Sequence, residues 1–134
     1  MTKKPFIKRI PAWSLSLITA FVSLILIFIF AGIFTVVFNL LGISDYVDDS
    51  IAAYFCYGVA VALACFLICK AHPTSFWYVP IICNAVSITG ALVEPNFWIT
   101  AMWIAYGTGW ILSLIGTILG VLHAKRGLAK ENTQ

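Results

Sequence analysis

The sequence predicts an all-α integral membrane protein, folded as a four-helix bundle with up-down-up-down topology. Of its 134 residues, 62% are hydrophobic and 10% are charged, so the chain has too little polar surface to cover a water-soluble core. The apolar residues also form long runs without charges. A helix needs about 20 such residues to cross the hydrocarbon layer, where free backbone groups find no water. Four runs of this kind occupy most of the chain, which predicts a single transmembrane domain over 1–134.

The first span is predicted over about 13–41, between Pro11 and Gly42. At ~1.5 Å per residue this helix is longer than the ~30 Å hydrocarbon layer, so we expect it to tilt, kink or enter the interface. Its apolar run is about twice as long as that of a signal peptide, and no small-x-small cleavage site closes it. The sequence therefore favours a first helix that is retained.

The other three spans follow from their flanking residues. The second covers about 51–69, and Asp48, Asp49 and Ser50 supply capping oxygens and negative charge at its start. The third covers about 77–93, with Pro80 in its first turn, and should stop at Glu94 because a proline follows. The fourth covers about 97–122. The connections are short, which predicts that neighbouring helices are antiparallel.

Basic residues predict the orientation in the membrane. All eight lysines and arginines fall in the N-terminal tail, the second connection or the C-terminal tail, whereas four of the five acids fall in the other two connections. Both termini are therefore expected in the cytoplasm, in a multi-pass protein of the cell membrane. The net charge of +3 reflects this asymmetry and does not indicate a nucleic-acid partner. The basic residues are Lys3, Lys4, Lys8, Arg9, Lys70, Lys125, Arg126 and Lys130, and the outer acids are Asp45, Asp48, Asp49 and Glu94.

The third span has one polar face. When each residue is turned 100° about a helix axis, Asn84, Ser87 and Glu94 fall within about 80° of one another. An amide within a span should face protein or water and not lipid. We expect these side chains to make interhelical hydrogen bonds. The alternative is a polar path through the bundle with Glu94 at its outer mouth.

The fourth and second spans each carry a stripe of small residues that permits close helix approach. Either these two helices pack against each other within one chain, or one stripe serves self-association. The stripe on the fourth span consists of Gly109, Ser113, Gly116 and Gly120, and the stripe on the second consists of Ala52, Cys56, Ala60 and Ala64, with Gly58 and Ala62 beside it.

An aromatic face adjoins the small stripe of the fourth span and consists of Trp103, Tyr106 and Trp110. Such a face could bind a cation or a flat apolar ligand. A helical aromatic stripe more commonly fills packing space or an interface, and no acid lies at the same depth to complete a cation site. We therefore expect it to pack against protein.

Cysteine and histidine give weak indications of metal or haem chemistry. Cys65, Cys69, His72 and Cys83 could gather near the inner membrane boundary, where thiolates and an imidazole could bind zinc or copper. They lack compact ligand spacing, and buried cysteine commonly acts as a small apolar residue. No nucleophile has a positioned base, and no acid pair lies within a span. The sequence therefore predicts neither a cofactor nor an enzymatic activity.

Three functional hypotheses remain. The leading one is an accessory or structural subunit that acts through helix association, either as a homo-oligomer or within a larger complex in the lipid bilayer. The second is an oligomeric transporter or channel for ions or small solutes, lined by Asn84, Ser87 and Glu94. The third is a thiol, metal or haem redox protein of the membrane.

Overall fold

The computed structural model of the protein describes residues 6–43 and 49–131, and in these ranges the regular structure is entirely helical. The helices are α1 (Ala12–Leu41), α2 (Asp49–Ala71), α3 (Val79–Cys83), α4 (Ala85–Val93) and α5 (Met102–Glu131), with 3-10 turns at Phe6–Lys8 and Pro73–Ser75. The predicted all-α class is confirmed. Within the described ranges, α1, α2 and α5 are each long and apolar enough to cross a membrane. The four-span arrangement stays a prediction.

The limits of α1 follow from the residues at its ends. Pro11 precedes the helix in an extended conformation, and its carbonyl accepts the N–H of Leu15. At the other end Gly42 has φ 67°, a left-handed conformation that glycine adopts without a steric penalty. The N–H groups of Gly42 and Ile43 bond to the carbonyls of Asn39 and Phe38 and close the last turn.

The segment predicted as the third span forms two short helices that meet at Asn84. The side-chain amide of Asn84 donates to the carbonyl of Pro80 at 2.8 Å, and the backbone N–H of Asn84 donates to the same oxygen at 3.1 Å. A side chain that competes for a backbone carbonyl in this way disturbs the helix. Asn84 accordingly has φ −93° and ψ 7°, outside the α-helical region. The break therefore separates α3 from α4.

The last helix begins at Met102, whereas the sequence predicts a start near Phe97. Glu94 has the extended conformation that the following Pro95 favours. Hydrogen-bonded turns then continue to α5, including the bond from the N–H of Phe97 to the carbonyl of Glu94. They bury Phe97 beside the ring of Tyr106, with the centroids 5.1 Å apart.

Helix α2 is the central element, because it packs against α5 most extensively and against α1 and α3 as well. Its buried side chains are Ala53, Tyr57, Val61, Cys65, Ile68 and Cys69. The buried residues of α1 lie in its first half and are Ala12, Ser16, Ala20 and Ser23. The predicted orientation and the predicted cap of α2 depend in part on residues that lie outside the described ranges. These residues are Lys3, Lys4, Asp45 and Asp48.

Candidate functional site

The core of the helix bundle contains buried hydroxyl, amide and thiol groups. Most of the hydroxyls donate to a carbonyl of their own helix, as Ser16 does to Ala12 at 2.9 Å and Thr117 does to Ser113 at 2.8 Å. Such bonds satisfy the donor without requiring water. The buried polar residues in the described ranges are Ser16, Ser23, Ser75, Asn84, Ser87, Ser113 and Thr117.

The polar face predicted on the third span is divided by the structure. Asn84 and Ser87 are buried, and the Ser87 hydroxyl donates to the carbonyl of Asn84 at 2.9 Å. The same hydroxyl oxygen accepts a bond from Nε1 of Trp110 in α5 at 2.9 Å. Glu94 is exposed in the turn after α4. The structure thus joins Asn84 and Ser87 to α5 through Trp110 and places Glu94 apart from them.

Tyr57 completes this polar region, although it is not among the site residues predicted from the sequence. Its side chain is 3% exposed, and its ring points into the bundle from α2. The hydroxyls of Ser23 and Ser87 lie beside its Oη. No contact of Oη has strict hydrogen-bond geometry, which in the described ranges holds for no other buried side-chain nitrogen or oxygen, but the hydroxyl oxygens of Ser23 and Ser87 are the acceptors beside it. One residue from each of α1, α2, α4 and α5 meets in this region. We name these residues the central polar cluster: Ser23, Tyr57, Ser87 and Trp110.

A sequence signal for this cluster does exist. Ser16 and Ser23 are seven residues apart in the first span, so they share one face of that helix. Tyr57 lies eight residues inside α2, deeper than an aromatic anchor at the membrane surface would lie. A tyrosine at such depth needs a partner for its hydroxyl.

A groove of about 180 Å³ lies between α1 and α2. Its lining is largely apolar, with Thr19 and Ser23 supplying hydroxyl groups. Ser23 therefore belongs both to the groove and to the central polar cluster. The lining residues are Ile18, Thr19, Val22, Ser23, Leu26, Ala60, Val61 and Ala64.

The small residues of α5 lie directly against α2. A Cβ on Gly116 would be 2.5 Å from the carbonyl oxygen of Ala62, and a Cβ on Gly120 would be 2.5 Å from that of Phe66. Likewise, a Cβ on Gly58 would be 2.7 Å from the Cα of Gly109. These positions require glycine, because a side chain would collide with backbone atoms.

Other members of the two predicted stripes have different surroundings. Ser113 is fully buried and donates to the carbonyl of Gly109. Ala60 and Ala64 line the groove beside α1, and Ala52 and Cys56 are partly buried. The contact of α2 with α5 therefore uses Gly58, Ala62 and Phe66.

The predicted aromatic face does not form one open wall. Tyr106 is buried between the rings of Tyr54 and Phe97, with centroid distances of 4.7 Å and 5.1 Å. Trp110 donates to Ser87, whereas Trp103 is 47% exposed. Two of the three aromatic residues therefore contact neighbouring helices.

The three cysteines among the weak metal candidates share one buried core cluster with apolar side chains, and they are Cys65, Cys69 and Cys83. The ring of His72 contacts the N-terminal segment instead, with its Nε2 3.1 Å from the carbonyl oxygen of Ile7. Across residues 6–43 and 49–131, no three His, Cys, Asp or Glu side chains are grouped to hold a metal ion.

Comparisons with known proteins assign no family to this chain. No family model matches it, and no curated protein or solved structure is significantly similar to it.

Proposed function

We propose that the protein is an accessory or structural membrane subunit that acts through helix–helix association, with a second copy or within a larger complex. The observation that carries this proposal is the surface of α1. Residues 24–41, named here the outer half of α1, contain no buried residue. They include exposed Phe28, Leu40 and Leu41, which are 70%, 82% and 65% exposed.

The length of α1 supports association beyond simple contact with lipid. Its 30 residues extend about 45 Å, whereas the hydrocarbon layer is about 30 Å thick. The 23 residues of α2 extend about 35 Å, much closer to that thickness. If α1 crossed the bilayer upright, its last apolar turns would project beyond the hydrocarbon. A helix from another subunit would cover them.

One face of the outer half suits a second helix. Phe28, Gly32, Thr35 and Asn39 follow a spacing of four, three and four residues, so they lie along one side of α1. No atom lies within 4 Å of a Cβ placed on Gly32. Glycine therefore leaves an open notch for close approach. The exposed Asn39 amide donates one N–H to the carbonyl of Thr35 at 2.7 Å, which leaves its second N–H and its oxygen for an interhelical hydrogen bond.

The bonds made by Asn84 and Ser87 favour a packing role for the predicted polar face. Both side chains are buried and hydrogen-bonded within the chain. Trp110 in addition joins Ser87 to the long helix α5. Groups that line an aqueous path would instead be open to water. These contacts therefore support the accessory role over the transporter hypothesis.

We further propose four spans, with α3 and α4 together as the third and both termini in the cytoplasm. The contact of His72 with the carbonyl of Ile7 brings the end of α2 near the start of α1. The rings of Phe66 and His123, 6.3 Å apart, bring the end of α5 to the same side. Lys8, Lys70 and Lys125 are near these contacts, and the gathering of positive charge at one end supports the cytoplasmic assignment.

The test is native mass spectrometry of the affinity-purified protein, released from a mild detergent. We expect a species that contains a second copy or another polypeptide. Gly32→Leu should reduce this species while leaving the free chain folded, because the site is open. The matched control is Gly107→Leu, since Gly107 in α5 also has no atom within 4 Å of its Cβ position. A chain that stays monomeric at every concentration, or one equally affected by both variants, contradicts the proposal.

A further inference from the structure

We propose that the last turns of α2 and α5 bind the headgroup of an anionic phospholipid. Three residues form this surface, which we name the basic seam: Lys70 of α2 with His123 and Arg126 of α5. The basic seam is separate from the outer half of α1, and lipid binding there does not depend on association between chains.

Helices α2 and α5 are in contact at the basic seam. A Cβ placed on Gly120 would be 3.1 Å from the backbone nitrogen of Lys70, so α5 lies against the last turn of α2. The ring centroid of Phe66 is 6.3 Å from that of His123 and 5.9 Å from Nζ of Lys70. Lys70 and His123 therefore lie beside the same aromatic ring, one on each helix.

Arg126 extends the basic seam along α5. It follows His123 by three residues, so the two side chains are neighbours on one face of the helix. Lys70, His123 and Arg126 are all exposed. A lysine ammonium is a compact charge with three donors, and a guanidinium pairs two of its donors with phosphate oxygens. The basic seam thus presents the groups that recognise a phosphate.

The acids of the described ranges do not balance this positive charge. Asp49 begins α2 and Glu94 precedes α5, so both lie at the opposite ends of these helices from the basic seam. Glu131 follows Arg126 by five residues, which places it about 140° away around the helix axis. An anion from outside the chain would therefore complement the charge of the basic seam.

Exposed leucines continue the basic seam towards the middle of each helix. Leu63 precedes Lys70 by seven residues, so it lies two turns away on the same face of α2. Leu119 has the same relation to Arg126 on α5. Both leucines are exposed. A lipid whose phosphate contacts the basic seam can therefore lay its acyl chains along apolar side chains, which a soluble phosphate cannot do.

Charge selects the class of phospholipid. The headgroup of phosphatidylglycerol carries a phosphate and no cation, so it brings only negative charge to the basic seam. Phosphatidylcholine also carries a quaternary ammonium group, which Lys70 and Arg126 repel. Each basic residue at a membrane surface contributes about fivefold to the attraction of anionic lipid. The basic seam should therefore prefer the anionic headgroup.

The test is a native mass-spectrometry titration of the full chain in detergent with dioleoylphosphatidylglycerol and, separately, dioleoylphosphatidylcholine. The two lipids have the same acyl chains, so a difference in affinity comes from the headgroup. The dissociation constant of the first bound lipid is measured for the natural sequence, Lys70→Gln and Arg126→Gln. It is counted per chain, so chains that associate and chains that do not give the same readout.

The matched control is Lys125→Gln, which also removes one exposed positive charge from α5. Lys125 follows His123 by two residues, so it lies about 160° away around the helix axis. A site at the basic seam should distinguish this variant from Arg126→Gln, whereas attraction to the total charge of the protein should not.

We expect phosphatidylglycerol to bind more tightly than phosphatidylcholine. Its affinity should fall about fivefold in Lys70→Gln and in Arg126→Gln, the factor that about 1 kcal/mol per basic residue gives, and should not change in Lys125→Gln. Equal affinities for the two lipids, or unchanged affinity in either seam variant, overturn the proposal. So does an equal loss in Lys125→Gln. Excess inorganic phosphate should leave the lipid bound, and displacement by phosphate would overturn the assignment to a lipid.

Discussion

The close contact between α2 and α5 makes Gly116→Ala the sharpest test of the fold. The new Cβ would lie 2.5 Å from the carbonyl oxygen of Ala62, whereas ordinary contacts begin near 3.4 Å. The helices must therefore separate locally by about 0.9 Å, the difference between these distances. A backbone carbonyl cannot rotate away as a flexible side chain can, so the strain falls on the helix contact.

The expected cost follows from that separation. A gap of about 0.5–1 Å removes a quarter to a half of the attraction between atoms that each gain about 0.1–0.2 kcal/mol. If about 40 atom pairs are affected, roughly the number around one buried leucine, the loss is about 1–4 kcal/mol. Alanine regains at most about 1 kcal/mol of helix propensity, and less in lipid, where the separated helix stays formed. We expect a net loss of about 1–3 kcal/mol in the free energy of unfolding.

Unfolding by sodium dodecyl sulfate in mixed micelles measures this loss through helix-packing fluorescence and circular dichroism. Gly107→Ala is the control, because the same substitution there meets no atom within 4 Å. It should be neutral or slightly stabilising. Gly90→Ala, whose Cβ would meet the Tyr106 hydroxyl at 3.5 Å, should fall near the control. If Gly116→Ala were as stable as Gly107→Ala, the close approach of α2 and α5 would be refuted.

Three further predictions concern the interior. A double-mutant cycle with Trp110→Phe and Ser87→Ala should give a coupling of about 0.6–2 kcal/mol in unfolding experiments, and zero coupling would contradict the bond between α4 and α5. Asn84→Leu should lower unfolding stability, because it removes the bond to Pro80 at a buried position. A loss of solute flux in proteoliposomes with unchanged stability would instead favour a path. A membrane-permeant maleimide should label partly buried Cys56 faster than the three core cysteines. The folded protein is labelled first, and mass spectrometry of its peptides then gives the labelling rate of each cysteine. Equal rates would contradict the described core.

The sequence predicts the ends of α1 well, because they depend on local stereochemistry. Pro11 limits the helix at one end, and Gly42 provides the left-handed conformation at the other. The glycine stripe of α5 is equally visible, since Gly116 and Gly120 are one helical turn apart. These features depend on neighbours in the chain and hardly on the rest of the fold.

The partner face of α2 could not be chosen from sequence. Small residues occur on two sides of this helix, and spacing alone does not show which side meets α5. The structure uses Gly58 and Ala62 for that contact and leaves Ala60 and Ala64 at the groove. Which face of α2 meets α5 depends on how all the helices pack together. The spacing of residues along one helix does not contain this information.

The break at Asn84 and the role of Tyr57 were hidden for related reasons. An asparagine disturbs a helix when its amide reaches a preceding carbonyl, and that depends on its rotamer and on packing around Pro80. Tyr57 becomes informative once Ser23 and Ser87 approach it from other helices. Both features arise from contacts between residues that are placed by tertiary structure.

The use of small residues inside the chain determines where association between chains can occur. The backbones of α5 at Gly116 and α2 at Ala62 are already in contact, so another subunit could not use this surface without separating the two helices. The outer half of α1 keeps an open notch at Gly32 and contributes no buried residue. Substitution at Gly116 should therefore alter stability at any protein concentration, whereas substitution at Gly32 should alter a concentration-dependent equilibrium. Measuring the unfolding of both variants over a range of protein-to-detergent ratios separates these effects. If the stability change of the Gly116 variant depended on protein concentration and that of the Gly32 variant did not, the assignment of the two surfaces would be reversed.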